Sequence, residues 1–430
     1  MRKLEERYAG AVEVIGVHSG KYITERITDR VRDASLRLDI RHPIVNDRQF
    51  RTWRAYTVSA WPTIVVINPL GHVVGSHAGE FTAEMVQAFL DDLVARHDAD
   101  GTLVRSPSAY AAQPPTQAPG ILRYPGGVAW DGSRMAIADS GHDRILFASL
   151  TPDRQAATVT RIVGGTRGMR DGDDPQFHSP QGVRFHDGEL LVADAGNHAI
   201  RAVSPGTGRT RTLAGTGAQV RTTHDLQQGA LSSPWDLDVV GDTIFVAMAG
   251  IHQVWTLPRR GGQCVPFSGS RREDIADGPH ADAALAQPMG IAAAIDVLYF
   301  VDAESSAVRR LEPAPDGGVR TIVGTGLFDF GDEDGTGDDV RLQHPQGVAV
   351  ADDGRLLISD TYNDALKWVD PRMRTVNTLA RGLNEPGGLC LLDGLALVAD
   401  TNAHRIAVAR LADGTVSALA LSVAPASDLC

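Results

Sequence analysis

Three histidines, His198, His252 and His404, stand at the same point of three similar segments, each just after an apolar strand and before the next. Neutral imidazoles from three copies of one turn could converge on a metal ion and support metal-dependent chemistry. The matching positions of the other copies hold Asp143, Ser306 and Asp364, so the position reads as polar turn usage in which the side chain satisfies nearby backbone groups. No metal and no other cofactor is expected. Acidic loops are the second candidate: Asp171-Gly172-Asp173-Asp174, Asp277-Gly278 and Asp332-Glu333-Asp334-Gly335. Their carboxylates suit calcium, but none completes the Asp-x-Asp/Asn-x-Asp/Asn-Gly pattern with its distal Glu, so they read as solvated connecting loops. Thiols are the third. Cys264, Cys390 and Cys430 are far apart, with no Cys-x-x-Cys pair and no zinc-ligand spacing, and a dithiol reaction needs a nucleophile with a resolving partner. No catalytic residue is assigned.

The segments that would position these groups repeat. Six copies open with Pro, in most cases followed by x-Gly and an aliphatic residue: Pro125-Gly126-Gly127-Val128, Pro180-Gln181-Gly182-Val183, Pro234-Trp235-Asp236-Leu237, Pro288-Met289-Gly290-Ile291, Pro345-Gln346-Gly347-Val348 and Pro386-Gly387-Gly388-Leu389. Successive prolines lie 55, 54, 54, 57 and 41 residues apart, from positions 125, 180, 234, 288, 345 and 386. Such intervals fit four strands and a loop. Farther along each copy an apolar strand ends in a small residue and Asp: Asp139, Asp194, Asp302, Asp360 and Asp400, with Met248 in the third copy. An Asp there is expected to accept hydrogen bonds from N–H groups of the turn that follows it. The Gly after each Pro, lacking Cβ, lets innermost strands crowd around a channel. A four-stranded blade cannot bury both faces alone, and closing several into a ring does so while leaving only short edges.

These residues resemble the NHL repeat, with Asn197-His198-Ala199 as a degraded form of its signature triplet. The resemblance covers residues 120–421 and implies a mainly β chain with a six-bladed NHL-type β-propeller, followed by a tail over 422–430. Residues 1–97 differ. Ala11 to Ser19 reads as a strand, Ile23, Ile27 and Val31 recur at helical spacing, Ile64 to Ile67 is a buried strand after Trp61-Pro62-Thr63, and Thr82 caps a helix whose face is Met85, Val86, Phe89, Leu90, Leu93 and Val94. This order resembles the later part of a thioredoxin fold, a partial α/β domain. The resemblance implies that Pro62 follows a cis peptide and that Trp61, Pro62 and Thr63 form a binding loop; a trans Pro at a strand entrance also fits the residues. The central strand and both thiols of that family are missing, so the region is redox-silent and the chain is expected to be an amino-terminally shortened version of a longer protein. Residues 98–119, with Ser106-Pro107 and Pro114-Pro115, read as a linker.

Composition agrees with two domains, mostly β. The 430 residues are 43% apolar and only 6% aromatic, with 45 Gly and 23 Pro, a balance suited to short strands and tight turns. The 41 Lys and Arg against 53 Asp and Glu leave a net charge of −12, which opposes a general polyphosphate grip on nucleic acid. Charges interrupt the first twenty residues where a secretory leader needs an apolar core, and no run is long enough to span a bilayer, so a cytoplasmic protein without a membrane partner is expected. The function that follows is a propeller-based binding or scaffold protein with a protein partner. The alternatives are a thiol-disulfide oxidoreductase relative whose dithiol segment is missing, or a metal-dependent propeller lyase.

Overall fold

The computed structural model describes residues 1–79, 81–106, 120–220 and 223–425, and the chain divides into two compact units, Met1–Gln117 and Ala118–Cys430. The second unit is a six-bladed propeller. From the inside outward, blade one runs Gly127–Trp130, Met135–Asp139, Arg144–Leu150 and Ala156–Gly164, and blade two Pro180–His186, Glu189–Asp194, Ala199–Val203 and Thr210–Ala214. Blade three is Pro234–Val240, Thr243–Met248, Gln253–Pro258 and Val265–Ser268, and blade four Pro288–Ala294, Val297–Asp302, Ala307–Leu311 and Gly318–Val323. Blade five is Gly347–Val350, Leu356–Asp360, Ala365–Asp370 and Thr375–Arg381, and blade six Pro386–Leu392, Leu395–Asp400, Arg405–Arg410 and Val416–Ala418.

The second strands Met135–Asp139 and Leu356–Asp360 are buried at every residue and those of the other blades nearly so, because both their faces meet a neighbouring blade. Six apolar clusters lie between successive blades, and the sixth closes the ring: Val128, Ile137 and Leu146 of blade one pack with Leu397, Ile406 and Val408 of blade six. Inner strands approach closely where the glycines stand. A Cβ on Gly127 would come within 2.6 Å of the Gln181 carbonyl oxygen and one on Gly290 within 2.7 Å of the Gln346 oxygen, closer than packed atoms tolerate.

Outer edges are covered by extra strands. Gly278–Pro279 pairs with Gly318 and Val319 on blade four, and Gly335–Thr336 with Thr375 and Val376 on blade five. Blade one takes Ala420–Val423, which lies parallel to Ala156–Val159 after the chain has left blade six. Each addition occupies backbone groups that an open edge would expose. The propeller therefore extends beyond the expected boundary at 421: Val423 is in the strand and the Ala424 N–H bonds the Val159 carbonyl at 2.9 Å. The remainder of the expected tail, 426–430 with Cys430, lies outside the described residues.

The first unit contains the helix Arg2–Arg7, a parallel pair Gly16–His18 and Ile44–Asn46, the helices Thr28–Arg37 and Arg51–Ala55, the hairpin Thr63–Ile67 with Val73–Ala78, and the helix Ala83–Ala99. Thr82 caps the last helix as expected, its hydroxyl accepting the Met85 N–H at 3.3 Å, and Val86 and Leu90 pack on Leu4 and Tyr8. Four expectations fail. Ile64 to Ile67 form a strand that is only partly buried, Ile67 being 47% exposed, and Met85 and Phe89 of the expected apolar helix face are exposed. The strand expected over Ala11 to Ser19 is only Gly16–His18, because the N–H groups of Ala11 and Val12 turn back to the Tyr8 carbonyl. The helical run through Ile23, Ile27 and Val31 is broken at Ile27, whose extended backbone separates a short 3₁₀ turn, Thr24–Arg26, from the helix that follows and leaves Ile23 and Ile27 63% and 48% exposed. The expected linker over 98–119 begins inside the last helix, and 107–119, including Pro107, Pro114 and Pro115, lie outside the described residues. Among the described residues no helix is long and apolar enough to cross a membrane.

Candidate functional site

The repeated acids do not cap the backbone of the turn after them, although in that turn the Asn197 and Asn363 side chains donate to Asp194 and Asp360 at 2.8 and 2.7 Å. Asp139, Asp194, Asp302, Asp360 and Asp400 instead accept from the N–H two residues before the opening Pro of their own blade: Arg123, His178, Ala286, Gln343 and Asn384, at 2.6 to 2.9 Å. The expectation is corrected by sheet geometry. The second strand ends beside the loop that enters the first strand, so the carboxylate ties the incoming chain as well as its own reversal.

Each of these acids also meets a cation. In blades two and four it is an arginine seven residues on, fully buried: Arg201 bonds Asp194 at 2.8 Å and Asp171 at 2.7 Å, and Arg309 bonds Asp302 and Asp277, both at 3.1 Å. In blade five Lys367 takes the place and reaches Asp332, Asp334 and Asp360 at 2.7, 3.2 and 3.3 Å. The acidic loops are thus structural partners rather than solvated connections. Asp171, Asp277 and Asp334 further accept from the backbone and hydroxyl of Thr212, Thr321 and Thr378 on the outer strand. Burial pushes Asp194 and Asp360 up to about 6, against the pull of their partners, and pushes Asp302 up as well. In blades one and six Arg144 and Arg405 bond the acid from five residues on, both at 2.7 Å. Blade three replaces the whole set: Met248 stands for the acid and Trp255 for the arginine, the indole N–H donating to Gln253 at 3.0 Å. The sequence carried a signal for this network, Asp followed seven residues later by Arg or Lys in three copies, which the Pro-to-Asp comparison passes over.

The histidines are distributed around the ring, one each in blades two, three and six, rather than facing one ion. All six residues of that turn position, Asp143, His198, His252, Ser306, Asp364 and His404, have φ between 48° and 55°. Each accepts from the N–H just before the opening Pro of the next blade. Tyr124 donates to His404 Nδ1 at 3.0 Å, Ser233 to His198 Nδ1 at 2.9 Å and Gln287 to His252 Nδ1 at 3.1 Å. Ser179 donates to Asp143, His344 to Ser306 and Glu385 to Asp364. The position is an interblade staple that Asp, Ser or His can fill, because each offers an acceptor at similar reach. Among the described residues no group of three or more His, Cys, Asp or Glu could hold a metal ion.

The channel wall is lopsided. Two and four residues after the opening Pro the inner strands carry mostly Gly and Ala, but blade two has Arg184, blade three Asp236 and Asp238, and blade six Cys390. Arg184 bonds Asp238 at 3.0 Å. Asp236 and Asp238 accept from the N–H groups of Ile291 and Ala293 in blade four, at 3.1 and 2.8 Å, where a Gly or Ala would leave those groups no side-chain partner. Burial pushes Asp236 up to about 7, opposed chiefly by Arg184. It also pushes the Cys390 and Cys264 thiols up to about 12, so neither is a ready nucleophile. Both are packed, Cys264 between blades two and three and Cys390 between blades six and one. Above the polar patch, Trp235 packs with Met289, Ala249 and Ala303 beside the staples.

The proposed binding loop lies in the first unit. The Trp61–Pro62 peptide is cis, and the Thr63 hydroxyl donates to the Ala60 carbonyl at 2.6 Å. Trp61 is 49% exposed, its indole N–H bonded to the Ser19 carbonyl at 2.8 Å and its ring 4.5 Å from that of Trp53.

Comparison with known proteins finds the NHL repeat family in residues 342–368, the loop into blade five and most of its first three strands. NHL repeat-containing protein 2 of Gallus gallus is 35% identical over 97% of this chain and 65% of that protein, and Protein SUPPRESSOR OF QUENCHING 1, chloroplastic, of Arabidopsis thaliana is 35% identical over 93% of this chain and 41% of that protein. The chain thus spans less than two thirds of the length of the first relative and less than half of the second. A solved chain of a nidogen/laminin complex is similar in fold, with a TM-score of 0.48 and 15% identity over 69% of this chain and 95% of that one.

Proposed function

As an NHL-repeat β-propeller protein homologous to NHL repeat-containing protein 2, this chain, we propose, is a binding scaffold whose ring presents one face to a protein partner. The observation that carries this reading is the fate of the repeated polar side chains. The acids and their buried cations are committed to fixing each incoming loop on its blade, and the turn residues to tying one blade to the next, which makes the ring a stiff platform. What differs between blades is the loops on the face that bears the staples, running from Gly165, Gly215, Gly269 and Gly324 to the next opening Pro, and the apolar group around Trp235 at its inner margin. Rigid frames with variable loops are where recognition concentrates, and aromatic anchors dominate it. The first unit, thioredoxin-like in the order of its elements and without a thiol, is a redox-silent appendage in this reading.

The test is quantitative affinity capture with the wild-type chain, a Trp235→Ser variant and a Val265→Ser control on an outer edge, each shown to melt alike. A partner retained by the control and lost with Trp235→Ser supports the scaffold reading. Identical partner sets for all three chains refute it for this face.

A further inference from the structure

We infer that the first unit carries a binding cleft for an acidic peptide segment bearing aliphatic side chains, distinct from both the cis-proline loop and the propeller. A cleft of about 690 Å³ opens between Ile23–Ile27 and Asn46–Arg51, within the size range of ligand pockets. Its lining charges are three arginines and one aspartate. Asp47 does not offset the arginines, because its carboxylate is spent locally. It accepts the N–H groups of Arg51, Thr52 and Trp53 at 2.8, 3.2 and 2.9 Å and the Ser19 hydroxyl at 3.1 Å. Burial works against its charge, but these donors outweigh burial and hold the carboxyl below its ordinary range. It is therefore an anion already satisfied.

Arg26 is held in place. Its guanidinium donates to the Gly20 and Lys21 carbonyls, both at 3.2 Å, and lies 5.3 Å from the centre of the Phe50 ring. None of these partners is an anion, so its charge remains uncompensated. Arg48 and Arg51 are exposed on the opposite wall, and neither side chain makes an ion pair among the described residues. Three cations around one cleft favour an anionic occupant, and guanidinium forks suit carboxylates in pairs.

The other lip chooses the kind of anion. Ile23 and Ile27, exposed there, offer apolar surface that gains from covering by aliphatic side chains. Carboxylate and aliphatic group together describe an acidic protein segment.

The experiment uses the full chain and a fluorescein-labelled peptide of alternating Glu and Leu, read by fluorescence anisotropy, with an alternating Lys and Leu peptide, a Glu and Ser peptide and inorganic phosphate as comparisons. Saturable binding of the Glu and Leu peptide is expected, weakened about tenfold or more by Arg48→Glu with Arg51→Glu and by about tenfold in Ile23→Ser with Ile27→Ser. Thermal melts confirm that each variant folds, and Arg48→Gln with Arg51→Gln replaces the charge reversal if it does not. Unchanged affinity in the arginine variants, equal binding of the lysine peptide, or no saturation up to about 1 mM overturns the proposal. So does full displacement by millimolar phosphate together with equal binding of the Glu and Ser peptide, which would mark a small-anion site only.

Discussion

Replacing Arg309 by methionine should be among the most damaging single changes in the propeller. The guanidinium is fully buried and holds four acceptors: the Ala284 and Ala276 carbonyls at 3.2 and 3.0 Å, and Asp302 and Asp277 at 3.1 Å each. Methionine fills much of the volume but leaves Asp302, itself wholly buried, with no countercharge. Removing one partner of a buried pair costs about 3–5 kcal/mol. At about 2 °C per kcal/mol for a unit of this size, the melting temperature should fall by about 6–10 °C. Blade three shows the way back, since Met248 and Trp255 occupy the acid and arginine positions together without charge. Asp302→Met combined with Arg309→Trp should therefore recover most of the loss. The pH dependence follows from burial, which raises Asp302 above its unfolded value, more so once Arg309 is gone. A raised carboxyl prefers its proton in the folded state, so stability is greatest below the unfolded pKa and is lost as pH climbs through the folded one. The single variant should thus trail the wild type less at about pH 5.5 than at about pH 8. Calorimetry of the three chains at both values tests this. A single variant within about 1 kcal/mol of wild type, or a double variant no better than the single, would refute the argument.

The staple at the closing joint can be tested with His404→Ala, which leaves the Tyr124 N–H without its 3.0 Å acceptor and should cost about 1–3 kcal/mol in urea unfolding. His404→Asp, the residue found at positions 143 and 364, should restore much of it; if Asp is as harmful as Ala, the acceptor role is wrong. In the channel, Asp236 has a folded pKa of about 7, so its contribution declines as pH rises from about 4 through 7. Asp236→Asn should flatten the stability profile across that window, and an unchanged slope would show that Asp236 does not titrate there.

The ring was legible because its signals are local. Pro-x-Gly, the Asp at the end of the second strand and the apolar runs between them recur within each blade, and an apolar strand with two faces to bury admits few arrangements other than closure. The glycine argument held for the same reason, since a missing Cβ at a crowded inner strand needs no knowledge of the distant chain. The polar side chains were another matter. Asp171 as partner of Arg201, or His404 as acceptor for Tyr124 across 280 residues of sequence, depends on which loop the ring brings alongside. The turn histidines looked alike from residue type whether they faced an ion or a neighbouring N–H; the ring sets each beside an N–H of the next blade. The first unit was read less well, because Ile27 interrupts the helical period with an extended backbone that composition does not reveal. Apolar periodicity is a property of the chain, so the architecture of the ring could be read from residue order alone. A hydrogen bond requires two groups at one point in space, so the partners of the propeller's buried charges, and with them the character of its candidate sites, emerged only when the ring closed.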